Sequence, residues 1–301
     1  MTGLLASITE PFTYDYMWKA MWVSGLVGAA AAFLSCYLML KGWSLMGDAL
    51  GHAVVPGVAV AYLMAWPYAA GAFIAGLLAA FGMHLVKVNS RLREDAVIGI
   101  VFTTFFATGL LIASLYPTSV DIQSIVLGNI LAIGDAEARQ VAWIAGITLV
   151  VMLALWKDLM AVFFDESHAR SIGLPATALR IVFFTLLAAT TVAALQTVGA
   201  CLVIATVITP GATAYLLTDR FPRLLQIAVG LGATTGFLGA YISYFVNGAT
   251  GGVIVTLQTL IFLAVFVLAP KHGRLAQRRR ARTGASADPL AAERFSQVRS
   301  R

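Results

Sequence analysis

"WVSGLVGAAAAFLSCYLML", residues 22–40, runs for 19 residues without a charged side chain. Wound as an α-helix at about 1.5 Å per residue, it matches a hydrocarbon core ~30 Å thick, whereas a barrel strand needs only about 10 residues of strict alternation. The run does not alternate, so it reads as a membrane-spanning helix. Similar runs follow at 48–66, 68–86, 95–116, 141–163, 178–195, 199–217, 224–245 and 252–268. The 301-residue chain is 60% hydrophobic and 11% charged, with a mean hydropathy of +0.87. No soluble globular domain has that balance. The expected fold is all-α: a polytopic helical membrane protein of about nine transmembrane helices.

Lysine and arginine set the orientation, because cytoplasmic loops are enriched in them. With the N-terminus outside, the inner connections hold Lys41, then Lys87, Arg91 and Arg93, then Lys157, Arg170 and Arg180, then Arg220 and Arg223. The outer side keeps Lys19 and Arg139. Nine crossings leave the C-terminus in the cytoplasm. The first 20 residues have no basic residue before Lys19, so the start lacks the basic region of a secretory signal and the first helix is expected to remain as a span.

Residues 271–301 carry nine Lys and Arg against Asp288 and Glu293, a net of +7, so the other 270 residues sum to −1. Residues 1–270 therefore read as the transmembrane domain and 271–301 as a basic, disordered cytoplasmic tail lying near anionic lipid. Nucleic acid is not expected as a partner. The stretch 117–134 is too short and polar for a span and reads as a hairpin against the outer mouth of the bundle. "FDESHARSIGLP", 164–175, reads as a short charged helix ended by Gly173 and Pro175. The two cysteines, Cys36 and Cys201, each sit inside an apolar run and read as core residues.

The chemistry that stands out is "GDALGHAVVPG", residues 47–57. On a helix Asp48 and His52 stand at i and i+4, on one face about a turn apart. A carboxylate with an imidazole suits Mn²⁺, Fe²⁺ or Zn²⁺, and two ligands allow release as well as capture. The competing reading makes Asp48 a helix cap near the membrane surface with His52 in the first turn. Depth separates the two, since an ionised Asp facing hydrocarbon costs roughly 3 kcal/mol. Gly42, Gly47, Gly51, Pro56 and Gly57 favour a broken segment, and irregular backbone beside a cavity is where transporters hold ions.

His84 reads as an interfacial residue beside Lys87. Gln196, at an outer helix end, reads either as path lining or as a helix-to-helix hydrogen bond. Pro210 and Gly211 predict a kink inside a span, either structural or a gate. No G-x-x-x-x-G-K-[ST], H-E-x-x-H or G-x-S-x-G occurs, so the chain itself is not expected to be an enzyme.

Six strings taken together carry a resemblance: "GDALGHAVVPGVA" (47–59), "REDAVIGIVFTTFFA" (93–107), "IVLGNILAI" (125–133), "FFDESHARSIGL" (163–174), "VAALQTVGACLVIATVITPGATAYLLTDR" (192–220) and "GATGGVIVTLQTLIFLAVFVLAPKHG" (248–273). From about residue 11 to 273 the chain resembles the permease subunit of metal-type ABC importers, the manganese, zinc and iron family, and most closely its iron/manganese branch in bacterial inner membranes. The resemblance implies a type II ABC importer permease fold. It also implies a second permease, identical or sister, two cytoplasmic ATPase subunits, an extracytoplasmic metal-binding protein, and no permanently bound cofactor beside the transported ion. Carried over residue by residue, it makes Asp48 and His52 the ion contacts. It makes Asp165, Glu166, Ala169, Arg170 and Gly173 part of the helix that couples to the ATPase. Many relatives carry Ser where this chain has Gly51, so a serine hydroxyl is not part of this site. The rival reading is a secondary metal transporter driven by proton exchange, with no ATPase.

Overall fold

The computed structural model describes residues 9–116 and 130–269, and every regular element among them is helical. In chain order these are α1 (Asp15–Lys41), α2 (Ser44–Ala53), α3 (Val55–Leu63), α4 (Tyr68–Asn89), α5 (Glu94–Leu115), α6 (Asp135–Phe164), α7 (Glu166–Ser171), α8 (Ala176–Val198), α9 (Ala200–Leu217), α10 (Phe221–Val246) and α11 (Thr250–Leu268). Short 3-10 turns cover Glu10–Thr13 and Ile130–Ala132. Most of the expected hairpin, 117–129, and the whole basic tail lie outside the described residues.

Seven helices, α1, α4, α5, α6, α8, α10 and α11, are long and apolar enough to cross a bilayer. The expected spans 48–66 and 199–217 contain shorter apolar helices, Ala49–Leu63 and Ala205–Leu217. The first of these is broken at Val54 between α2 and α3. Pro56 is the reason: it has no N–H for the carbonyl of His52, and its ring would clash there. Restarting the helix at Val55 puts Pro56 in the first turn of α3, where a missing N–H costs nothing.

Helix α1 is the centre of the bundle and is the most buried of the seven. Its first two turns extend beyond the expected start at 22, and Lys19 there forms an ion pair with Asp135 at the start of α6. It packs along α10, then against α9, α6 and α8. Small residues make the approach close: a Cβ on Gly28 would overlap the Gly232 carbonyl oxygen, one on Gly232 would overlap that of Gly28, and one on Gly236 would overlap that of Ser24. Lipid is as apolar as leucine, so such close backbone packing, rather than hydrophobic burial, holds spans together.

The outward surface has the opposite polarity to that of a soluble protein. Ile74, Leu78, Phe81 and Leu85 on α4, Trp143, Ile147 and Val150 on α6, and Leu260, Leu263 and Val267 on α11 are exposed at helical spacing. These stripes face lipid. One end of the bundle gathers Lys41, Lys87 and Arg180, and an aromatic knot closes it. Tyr37 of α1 lies edge-on to Phe163, Phe183 and Phe221, and its hydroxyl donates to the Trp156 carbonyl at 3.0 Å.

The expected kink at Pro210 is stitched by a neighbour. Pro210 lies inside α9 and breaks its ladder. The Ser35 hydroxyl of α1 braces the helix on either side of the proline: it accepts from the Gly211 N–H at 3.1 Å and donates to the Ile208 carbonyl at 3.0 Å. Gly211 is required because a Cβ there would overlap that hydroxyl. Ser35 is fully buried, so Ser35→Ala removes two hydrogen bonds to α9 at once with no water to replace them. The expected cost is about 1–2 kcal/mol, read as a lower unfolding temperature of the purified protein, with Ser35→Thr milder than Ser35→Ala.

Candidate metal path and coupling segment

Helix α2 begins at Ser44 with Trp43 as its N-cap, so Asp48 is its fifth residue and His52 sits one turn further on. Asp48 therefore does not cap a helix, and the capping interpretation is corrected: the helix starts a turn earlier than the string "KGWSLMG" suggested. Neighbouring residues give the depth. Gly47 packs toward Val207, the eighth of 18 residues of α9, where a Cβ would meet Cγ1 at 3.3 Å. The half-buried imidazole of His52 lies 5.5 Å from the ring of Phe102 and 5.3 Å from that of Phe106, the ninth and thirteenth of 22 residues of α5. The Asp-x-x-x-His turn thus lies level with the middle of two neighbouring helices.

Gln196 stands in the last turn of α8, half-buried, and its Oε1 is buried with no hydrogen-bond partner. The preceding Val192 and Leu195 pack with Val54 and Ala72, which places this end of α8 beside the α2–α3 break. Pro210 and Gly211 lie on α9, which also packs against α2.

At the basic end, α7 is built by its own sequence. The Asp165 carboxylate accepts the N–H groups of Ser167 and His168 at 2.9 and 3.1 Å, capping the helix. The C-terminus closes with Leu174 N–H to the Ala169 carbonyl and Gly173 N–H to the Arg170 carbonyl, and Gly173 takes a φ of +84° that favours glycine. Ala169 is fully buried against the bundle. Glu166 forms ion pairs with Arg170 on its own helix, at 2.7 Å, and with Arg180 of α8. Partial burial raises the Glu166 carboxyl's pKa, but the Arg170 hydrogen bond and the charges of Arg180, Arg170 and Lys41 outweigh it and hold the pKa below the usual carboxylate range. The clamp is therefore complete at neutral pH and is lost as pH falls through that lowered value.

A cavity of ≈ 240 Å³ lies between the start of α2 and the Glu166–Arg180 clamp. Its walls are Trp43 and Met46 at the start of α2, Met83, His84 and Lys87 of α4, and Glu166 and Arg180 of the clamp. Trp43 stacks on Phe184 and meets Phe163 edge-on, so the start of α2 rests on the same two helices that flank α7. His84 is exposed at this rim, as expected of an interfacial residue. Ser35 and Trp43 were not singled out from sequence, since nothing local marks a serine or tryptophan for a partner more than a hundred residues away.

The ABC 3 transport family model matches residues 13–269. The chain belongs to that family. As an ABC 3 protein it is 65% identical over 279 residues to "Chelated iron transport system membrane protein YfeC" of Yersinia pestis, a match covering 93% of this chain and 95% of that one. It is 47% identical over 277 residues to "Manganese transport system membrane protein MntB" of Synechocystis, covering 92% and 90%. Among solved structures, "PsaBC from Streptococcus pneumoniae in complex with Fab" superposes with a TM-score of 0.81 at 33% identity, covering 91% of this chain and 99% of that chain. The ABC 3 fold and a multi-pass membrane protein thus agree with the helical bundle described above.

Proposed function

We propose that the chain is the membrane permease subunit of an ATP-driven importer of divalent metal ions, with Mn²⁺ and Fe²⁺ as cargo and Zn²⁺ as the further candidate, in a bacterial inner membrane. The observation that carries this reading is the ABC 3 match over the whole bundle, with an Asp/His turn at mid-depth where the ion must pass. In this reading α2–α3 and α9 complete nine crossings, with the N-terminus outside and the 271–301 tail in the cytoplasm. The path forms between this permease and a second one, identical or sister. Asp48 and His52 are the ion contacts, with Gln196, Pro210 and Gly211 along the path or its gate.

A metal-binding protein docks on the outer side near Asp121, Asp135 and Glu137. Two ATPase subunits dock at α7, with Asp165, Glu166, Ala169, Arg170 and Gly173 as the coupling surface. The supporting geometry is mechanical. When α7 moves, the Glu166–Arg180 clamp and the Trp43 contacts move the start of α2, and α2 carries the ion contacts.

The test is manganese and iron uptake in cells carrying the full transport system with an ATPase whose P-loop lysine is replaced. Uptake falls to background if the reading is right. Uptake that survives the dead ATPase and collapses when the proton gradient is dissipated would replace this reading with proton-driven exchange; no observation here favours that alternative.

A further inference from the structure

Gln258 of α11 is 3% exposed, on the same buried side of the helix as Ile254. Its Nε2 donates to the Thr235 hydroxyl of α10 at 3.1 Å. That hydroxyl has already committed its own proton to the Leu231 carbonyl at 2.6 Å, so only the amide's nitrogen end can face it. The other end, Oε1, is buried and accepts nothing from the protein. An unmet buried acceptor is among the costlier defects a bundle in lipid can carry.

The space beside this residue is narrow and mostly apolar, with Leu231 and Ile261 among its walls, but a few polar side chains reach it. A small cavity of ≈ 10 Å³ is bounded by Gln258 and Thr235 on one wall and by Thr209, Pro210 and Thr213 of α9 on the other. That is about the space one solvent molecule needs, and it offers the two to four polar partners a buried water requires. The Thr213 hydroxyl proton is committed to the Thr209 carbonyl at 2.7 Å, which leaves its oxygen as an acceptor.

We propose that one water molecule is a permanent part of this junction, donating to Gln258 Oε1 and to the Thr213 hydroxyl oxygen. It lies beside Pro210, which lines the same cavity. The stretch of α9 around the proline is then tied to α1 by a serine hydroxyl and to α11 by a water. The site is neutral, and the water meets a buried acceptor that the protein leaves unmet. The inference does not depend on what the protein transports.

Two measurements on the purified full-length protein, in its complex, test it. A cryo-EM reconstruction that resolves ordered solvent should show a peak within hydrogen-bond distance of Gln258 Oε1. An empty pocket, or Oε1 turned onto a protein donor, overturns the proposal. The second is thermal unfolding of the double variant Thr235→Val/Gln258→Leu, which removes both partners of the visible bond. In a dry pocket that change also removes an orphan acceptor, so the unfolding temperature holds or rises. With a bound water it falls, by about 2–4 °C, because the water loses its place beside Thr213. Unfolding of the unaltered protein should be the same in sodium and choline salts; a sodium dependence would mean that a cation, not water, fills the site.

Discussion

Asp48→Ala and His52→Ala, made separately, are each expected to reduce manganese or iron uptake at least about ten-fold, equivalent to ~1.4 kcal/mol or more of lost ion stabilisation, while the protein reaches the membrane in normal amounts. The expectation follows from depth and from number. The His52 ring rests between Phe102 and Phe106 at the midpoint of α5, where ionisable groups are tolerated only beside water, a partner or an ion. One carboxylate and one imidazole per chain also leave little redundancy, since losing either halves what this subunit offers the ion. Uptake is the measured quantity, with membrane abundance and thermal unfolding as controls for folding. Wild-type uptake in either variant at normal abundance would sink the assignment of that residue.

The broad outline was legible because membrane spans are read from local composition alone. Five of the seven long helices lie within a few residues of their expected runs, and the two large extensions, Asp15 against an expected start at 22 and Asp135 against one at 141, come from polar turns outside the apolar window. The α7 segment was legible too, since Asp165 as cap and Gly173 as terminator act on their immediate neighbours. What sequence could not supply is the contact between distant positions. The depth of Asp48 and His52 depends on which residues of α5 and α9 lie beside them, and no local pattern states that. The break at Pro56 was foreseeable from proline chemistry, but the start of α2 at Ser44, which removes the capping role of Asp48, was not. The bracing of α9 around Pro210 by Ser35 is of the same kind. A lone serine in "FLSCY" has no feature that points to a carbonyl 173 positions later.

The second large effect is expected at the crossing of α1 and α10, where Gly232→Val should prevent the protein from accumulating in the membrane. A Cβ on Gly232 would overlap the Gly28 carbonyl oxygen and press on Ala32, and a Cβ on Gly28 would overlap the Gly232 carbonyl oxygen. The obstacle on each side is backbone, so no side-chain rotation relieves it and the helices must separate. Overpacking of a core usually costs about 1–3 kcal/mol. The cost here should lie at or above the top of that range, because the crossing is the most extensive contact of the central helix and close packing is the main attraction between spans.

Gly28→Val should behave the same way. The pair Gly28→Ala/Gly232→Ala should be no worse than additive, since helices already parted by one Cβ have made part of the room for the other. Gly146→Val on α6 is the matched control: a Cβ there meets nothing within 4 Å, and valine has a slightly better helix propensity than glycine, so no loss should register. Membrane abundance by immunoblot, followed by thermal unfolding of whatever can be purified, decides the matter. A Gly232→Val protein as abundant and as stable as the Gly146→Val control would show that α1 and α10 do not meet at these two glycines.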